Sequence, residues 1–145
     1  MADTLILCLL LGTFAAFWIG LLNVIAVWAG WKELARRYPD DGSHEGQTFR
    51  FQSGAMNGLA KWSSPCNYGS CLNLRVCPAG LRIAVMFPFH FGHSPLFIPW
   101  SEFRQPTQKQ VWHYFTFFEA VLGEPPFRRI TLPSWIWDFQ QEGAG

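Results

Sequence analysis

The residues of this chain whose types could do chemistry fall into four small groups. They are His90-Phe-Gly-His93, the series Cys66-x4-Cys71-x5-Cys77, Ser101-Glu102 followed by His113, and the acidic pair Asp40-Asp41. Two histidines and three thiols would be soft ligands for zinc, but the tight C-x2-C knuckle of structural zinc sites is missing. His90 and His93 would share a face on a helix. The surrounding Phe, Gly and Pro make this stretch a strand or turn, where they do not. Ser101, Glu102 and His113 are the residue types of an acyl-transfer triad, yet no G-x-S-x-G elbow is present, nor is a glycine-rich phosphate loop. Asp40 and Asp41 precede Gly42-Ser43, the composition of a solvated turn. These groups assign no catalytic residue, no cofactor and no metal, and they point away from an enzyme.

A fifth group has bulk rather than reactivity. Met86 to Phe97 carries Phe87, Phe89, Phe91 and Phe97, interrupted by Pro88, Gly92 and Pro95. A segment so apolar must be buried, touch lipid or touch a partner. Two readings stay open: the inward edge of a small barrel, or a contact surface for the membrane or another protein. Arg128 and Arg129, next to Phe127, are the cations placed to meet lipid phosphate at such a surface. The other basic residues (Arg50, Lys61, Arg75, Arg82, Arg104, Lys109) are scattered and the net charge is +1. Nucleic acid, which needs a basic stripe, is therefore not an expected partner.

What positions these groups begins with the N-terminus. Thr4 to Trp31 is a run of 28 residues without a charge. As a helix it would be ~42 Å long against a hydrocarbon core of ~30 Å. A cleaved signal peptide would have a basic start and an apolar core of about 7 to 15 residues. Met1-Ala2-Asp3 has no base, the run is far longer, and Val27-Trp28-Ala29 is a weak cleavage sequence. The expectation is an uncleaved single-pass transmembrane anchor over residues 1–31, with Trp28 and Trp31 in the headgroup layer. Asn23 either bonds a nearby backbone carbonyl or binds a second helix. Lys32, Arg36 and Arg37 follow the run while only Asp3 precedes it, which places the N-terminus outside and the C-terminal domain in the cytoplasm. Cys8 lies in the anchor, leaving three cysteines outside it, an odd set unlike a secreted disulfide scaffold.

Residues 32–45 read as a juxtamembrane linker whose first half continues the helix until Pro39. Residues 46–142 read as one β-rich domain and 143–145 as a frayed tail. Thr48–Gln52 alternates, with Phe49 and Phe51 on one face. Leu72–Val76 and Leu81–Val85 alternate around Pro78-Ala-Gly80 and predict a β-hairpin. Pro95–Trp100, with a proline at each end, is a short strand that should be an edge or bent. Gln110–Val121 reads as one aromatic strand covered on both faces, Arg128–Leu132 as a strand, and Pro133 onwards as a short terminal helix. The fold class is α+β: a transmembrane helix, then a small antiparallel sheet or partial barrel plugged by a short C-terminal helix.

The hairpin Leu72-x-Leu-x-Val-x-Pro-x-Gly-Leu81-x-Ile83, the phrase Leu96-Phe-Ile-Pro-Trp-Ser-Glu-Phe103 and the closing helix together resemble the pleckstrin-homology and GRAM-like superfold. The block from Gly80 to Phe103, with Gly92-His-Ser-Pro-Leu96 inside it, is similar to a group of small bacterial single-span membrane proteins. The resemblance is closest over residues 71–103. It implies a PH/GRAM-like domain on a membrane anchor, with Trp100 tucked under the sheet, and it implies no activity. The function expected is a membrane-anchored binding or scaffold module, non-enzymatic, whose partners are the bilayer and other membrane proteins. The rival is a small accessory subunit of a larger membrane complex; an enzyme with an unrecognised site ranks third.

Overall fold

The structure, a computed structural model, describes residues 1–58, 66–111, 115–123 and 125–144. Lys61 and the aromatic stretch Trp112-His113-Tyr114 lie outside the described residues, so the Ser101–Glu102–His113 grouping is not placed. Helix α1 covers Ala2–Trp28 and is long and apolar enough to cross a membrane. A turn follows at Ala29-Gly30, then helix α2, Trp31–Arg37. Seven strands come next: β1 Gln47–Asn57, β2 Cys66–Val76, β3 Gly80–Val85, β4 Leu96–Pro99, β5 Phe103–Val111, β6 Phe115–Leu122 and β7 Arg128–Pro133. Helix α3, Ser134–Ala144, ends the chain. The strands form one antiparallel sheet in the order β4-β3-β2-β1-β7-β6-β5, curled into a half-barrel. The expected α+β class is what the chain adopts.

The β2–β3 hairpin has the register its alternation predicts. Val76 faces Leu81 and Leu72 faces Val85, with the Cys77 N–H donating to the Gly80 carbonyl at 2.9 Å. Leu72, Leu74, Leu81 and Ile83 are nearly or fully inaccessible. Strand β4 is an edge, as its prolines require, and its outer side is capped. Pro39 bridges to Leu96, and the Phe97 N–H donates to the Tyr38 carbonyl. An exposed edge is a template for unwanted pairing, and this short cover removes it.

Three readings are corrected. Phe49 and Phe51 do not share a face: β1 shifts register between Phe49 and Gln52, and Phe51 sits at φ 59°. The extra residue of a bulge reverses the side-chain parity after it. Phe49 therefore packs edge-on against Trp135 at 4.4 Å, while Phe51 is 66% exposed. Gln110–Val121 is not one strand, because Val111 pairs with Phe115 and the run is divided between β5 and β6. Within β6 the residues Phe118, Ala120 and Leu122 form the buried face, while those of the other parity, Phe115, Phe117 and Val121, are exposed or half-buried.

The third correction concerns the segment after α1. The helix does not continue straight. Gly30 turns it at φ 80°, and a side chain there would fall on the Arg128 guanidinium, which pairs with Glu33 at 3.3 Å. The turn rolls α2 into the domain. Trp31, Leu34 and Tyr38 are buried, with Ala26 and Ala29 ahead of them, in the same cluster as the sheet residues and Ile136 of α3. Trp31 is thus a core residue, not a headgroup-layer one, whereas Trp28 is 77% exposed.

Candidate functional site: the aromatic loop against α1

Trp18, Leu22, Ile25, Ala26 and Ala29 of α1 and its end lose exposure, as does Asn23 beside them, while residues 2–17 are open. Their spacing of i, i+4, i+7, i+8 and i+11 is one helical face. That face meets the loop between β3 and β4, residues 86–95, which is the aromatic segment. The Trp18 indole N–H donates to the Pro88 carbonyl at 2.9 Å, and its ring lies 5.5 Å from that of Phe89. One turn higher, Asn23 donates to the Ile19 carbonyl at 2.8 Å and accepts from Lys32 Nζ at 3.0 Å. Asn23 also abuts the loop: a Cβ on Gly92 would come within 2.7 Å of its Oδ1, and Gly92 turns at φ 76°. Glycine satisfies both the close approach and the left-handed backbone. Higher still, the Trp31 indole N–H donates to the Ser94 carbonyl at 2.7 Å.

His93 is the pivot of this contact. Its Nε2 is 3.1 Å from the Tyr68 hydroxyl and its Nδ1 is 2.9 Å from the Phe91 carbonyl. Those partners fix the tautomer: Nδ1 carries the proton and Nε2 accepts from Tyr68. The rings of Trp31, Tyr68 and His93 lie 5.1–5.6 Å apart. Burial lowers the pKa of His93 and raises that of the Tyr68 hydroxyl, so both are uncharged at neutral pH. Burial likewise raises the thiols of Cys66, Cys71 and Cys77. A thiol held protonated is a poor nucleophile and a poor metal ligand.

The contact residues named from sequence are dispersed. Phe87 is 76% exposed and Phe89 40% exposed, on the outer surface of the loop; Phe91 is half-buried against His90 and Phe87. Phe97 is no contact residue. It is a buried part of β4, stacked on His44 at 3.6 Å. Arg128 lies under the Gly30 turn, about a fifth exposed, and is paired with Glu33. Arg129 lies half-exposed on β7, paired across β6 with Val121. Asn23, read from sequence as bonding a nearby backbone carbonyl or a second helix, does the first and also meets Lys32 and the loop. Sequence reasoning missed the contacts of Trp18, Trp31 and Tyr68; the first two belong to the segment read as anchor, where the indole N–H of Trp18 was a signal that something must meet it.

Among the described residues, one group offers converging metal-ligand atoms: Asp40, Asp41 and His44. Its carboxylates are engaged. Asp40 holds Arg82 at 2.7 Å and Asp41 accepts from Ser43 at 2.6 Å. One cavity, of about 590 Å³, lies between α2 and the loop and is lined by Lys32, Arg36, Asp40 and Gly92. The other, of about 240 Å³, lies between α1 and the β2–β3 side of the sheet. Comparison of the chain with protein-family models, with curated proteins and with solved structures found no match.

Proposed function

We propose that the protein is a single-pass, membrane-anchored binding or scaffold module without enzymatic activity, its domain cytoplasmic and PH/GRAM-like, whose aromatic loop lies in the membrane leaflet. The curled antiparallel sheet followed by a C-terminal helix supports the domain reading. So does Trp100, whose ring packs near Phe103 and Trp137 while its N–H donates to the Cys77 carbonyl at 2.9 Å. Arg36 and Arg37, exposed on α2 with Lys32 beside them, are the retained charges that support the orientation.

The observation that carries the reading is the Trp18–Pro88 hydrogen bond. About 20 helical residues cover a ~30 Å hydrocarbon core. Counted from Asp3, the core ends near Leu22. Trp18 is four residues, ~6 Å, inside that limit. The loop docked on it presents Phe87 and Phe89 at the edge of the hydrocarbon, where exposed rings gain rather than lose. An exposed Phe87 is a liability in water and an anchor in lipid.

The test uses full-length protein in phosphatidylcholine vesicles, cysteine-free except for Phe87→Cys carrying an environment-sensitive fluorophore. Nitroxide-bearing lipid should quench this probe strongly and one at Ser43→Cys weakly. Equal weak quenching at both positions refutes the leaflet placement. External protease on sealed cells, cutting the domain, refutes the cytoplasmic orientation.

A further inference from the structure

The smaller cavity, which flanks α1, has a composition unlike the rest of the surface. Its walls are mostly apolar: Leu22 and Ile25 of α1, Cys66 and Cys71 of β2, Val85 of β3 and Phe89 of the loop, with Asn67 and Gly69 of β2 at the exposed rim. Tyr68 and His93 close its inner end, and their polar atoms are already bonded to one another and to the Phe91 carbonyl. Among the described residues no side chain lining it carries a charge, and no group in that inner pair is left wanting a partner. Its inner part has little to offer water, and an apolar guest there replaces water at apolar walls.

We propose that this cavity is a binding site for one hydrocarbon chain, the acyl chain of a glycerophospholipid drawn from the surrounding leaflet. The inference rests on the membrane placement of α1 and the loop. On that placement Leu22 falls at the hydrocarbon boundary, and the cavity continues from there along the inner face of the helix. A chain end therefore passes from lipid into protein without crossing water. The volume of about 240 Å³ holds roughly eight units of ~30 Å³, the share of a water molecule in the liquid and close to that of a methylene. That is a segment of one chain, not a whole lipid, so the headgroup stays in its own layer. The protein would hold the lipid by its tail, with recognition set by chain shape and not by headgroup charge.

The experiment is acyl-chain photolabelling. Full-length protein is reconstituted in phosphatidylcholine vesicles doped with a phosphatidylcholine that bears a diazirine on one acyl chain. After irradiation the adducts are mapped by peptide mass spectrometry. Adducts are expected on the Cys66–Cys71 and Val85–Phe89 peptides as well as on residues 5–17 of α1. Two variants fill the cavity from different walls, Ile25→Trp and Cys71→Phe. Each should reduce the β2 adducts at least fivefold and leave those on residues 5–17 and on the lipid-facing Phe87 unchanged. Adducts confined to residues 5–17, or filling variants that change nothing, overturn the cavity site and leave the anchor standing. Absence of adducts on α1 as well overturns the membrane placement and the site with it.

Discussion

Replacing Trp31 by alanine should remove a large share of the domain's stability although the residue lies 15 positions before the first residue assigned to the sheet domain from sequence. Trp31 is fully inaccessible, its N–H is bonded to the Ser94 carbonyl at 2.7 Å, and its ring touches those of Tyr68 and His93. Truncating a buried Trp to Ala costs ~3–5 kcal/mol through lost contacts and the cavity left behind. The orphaned carbonyl adds to the upper end of that range. A domain of this size has only ~5–15 kcal/mol in total. Trp31→Phe keeps most of the ring and loses the N–H, so it should cost about 1–2 kcal/mol. Trp28→Ala, at a position 77% exposed, should stay within ~0.5 kcal/mol of the parent. The assay is urea unfolding of the full-length protein in a mild detergent, followed by near-ultraviolet circular dichroism, which reports aromatic packing rather than the helicity α1 keeps in the micelle. With a slope of ~1–3 kcal/mol per molar, Trp31→Ala should lower the midpoint by on the order of 2 M or abolish the transition. A Trp31→Ala midpoint equal to that of Trp28→Ala would refute the placement of α2 in the core.

Two further outcomes follow from the same contacts. His93 is held neutral by burial while its unfolded-state pKa is the ordinary 6.5. Below that pH the unfolded chain binds the proton and the folded one does not. Stability should therefore be flat above about pH 6.5 and fall by up to ~1.4 kcal/mol per unit as pH drops below it. His93→Phe should flatten that limb in urea titrations between pH 7 and 5, and an unchanged slope counts against the burial. Gly30→Ala meets both a left-handed backbone at φ 80° and the Arg128 guanidinium. It should cost about 1–3 kcal/mol, whereas Gly12→Ala, which has open space around it, should leave the midpoint unchanged.

Where local pattern and final environment agreed, the sequence was readable. Leu72–Val76 and Leu81–Val85 alternate because one face of each meets the core, and the prolines of Leu96–Pro99 mark an edge because they cannot serve a central ladder. Phe51 was not readable, since a bulge changes parity without changing composition. Trp31, Leu34 and Tyr38 were misplaced for a different reason. Apolar residues beside a membrane-length run are indistinguishable by composition from the end of that run, and only the turn at Gly30 sends them into the sheet. The loop of Phe87, Phe89 and Phe91 was recognised as unusual from its residues. Which of its rings face outward was decided by Trp18 and His93, partners 70 and 2 positions distant from their bonded carbonyls. Phe97 and Arg128 looked like the same kind of residue as their neighbours and are engaged instead by His44 and Glu33.

A domain on a string would sample every tilt and azimuth above its anchor, and each encounter would have to freeze them again. Here the last turns of α1 are walls of the domain, stitched through Trp18, Asn23 and Trp31 to a single loop. The helix is an axle with the half-barrel keyed to it. Rotation of the helix about its axis by one residue, 100°, would carry the whole sheet round with it. A neighbouring helix that seizes residues 2–17 thereby chooses which surface of the domain it will present, with the orientational cost of binding met in advance.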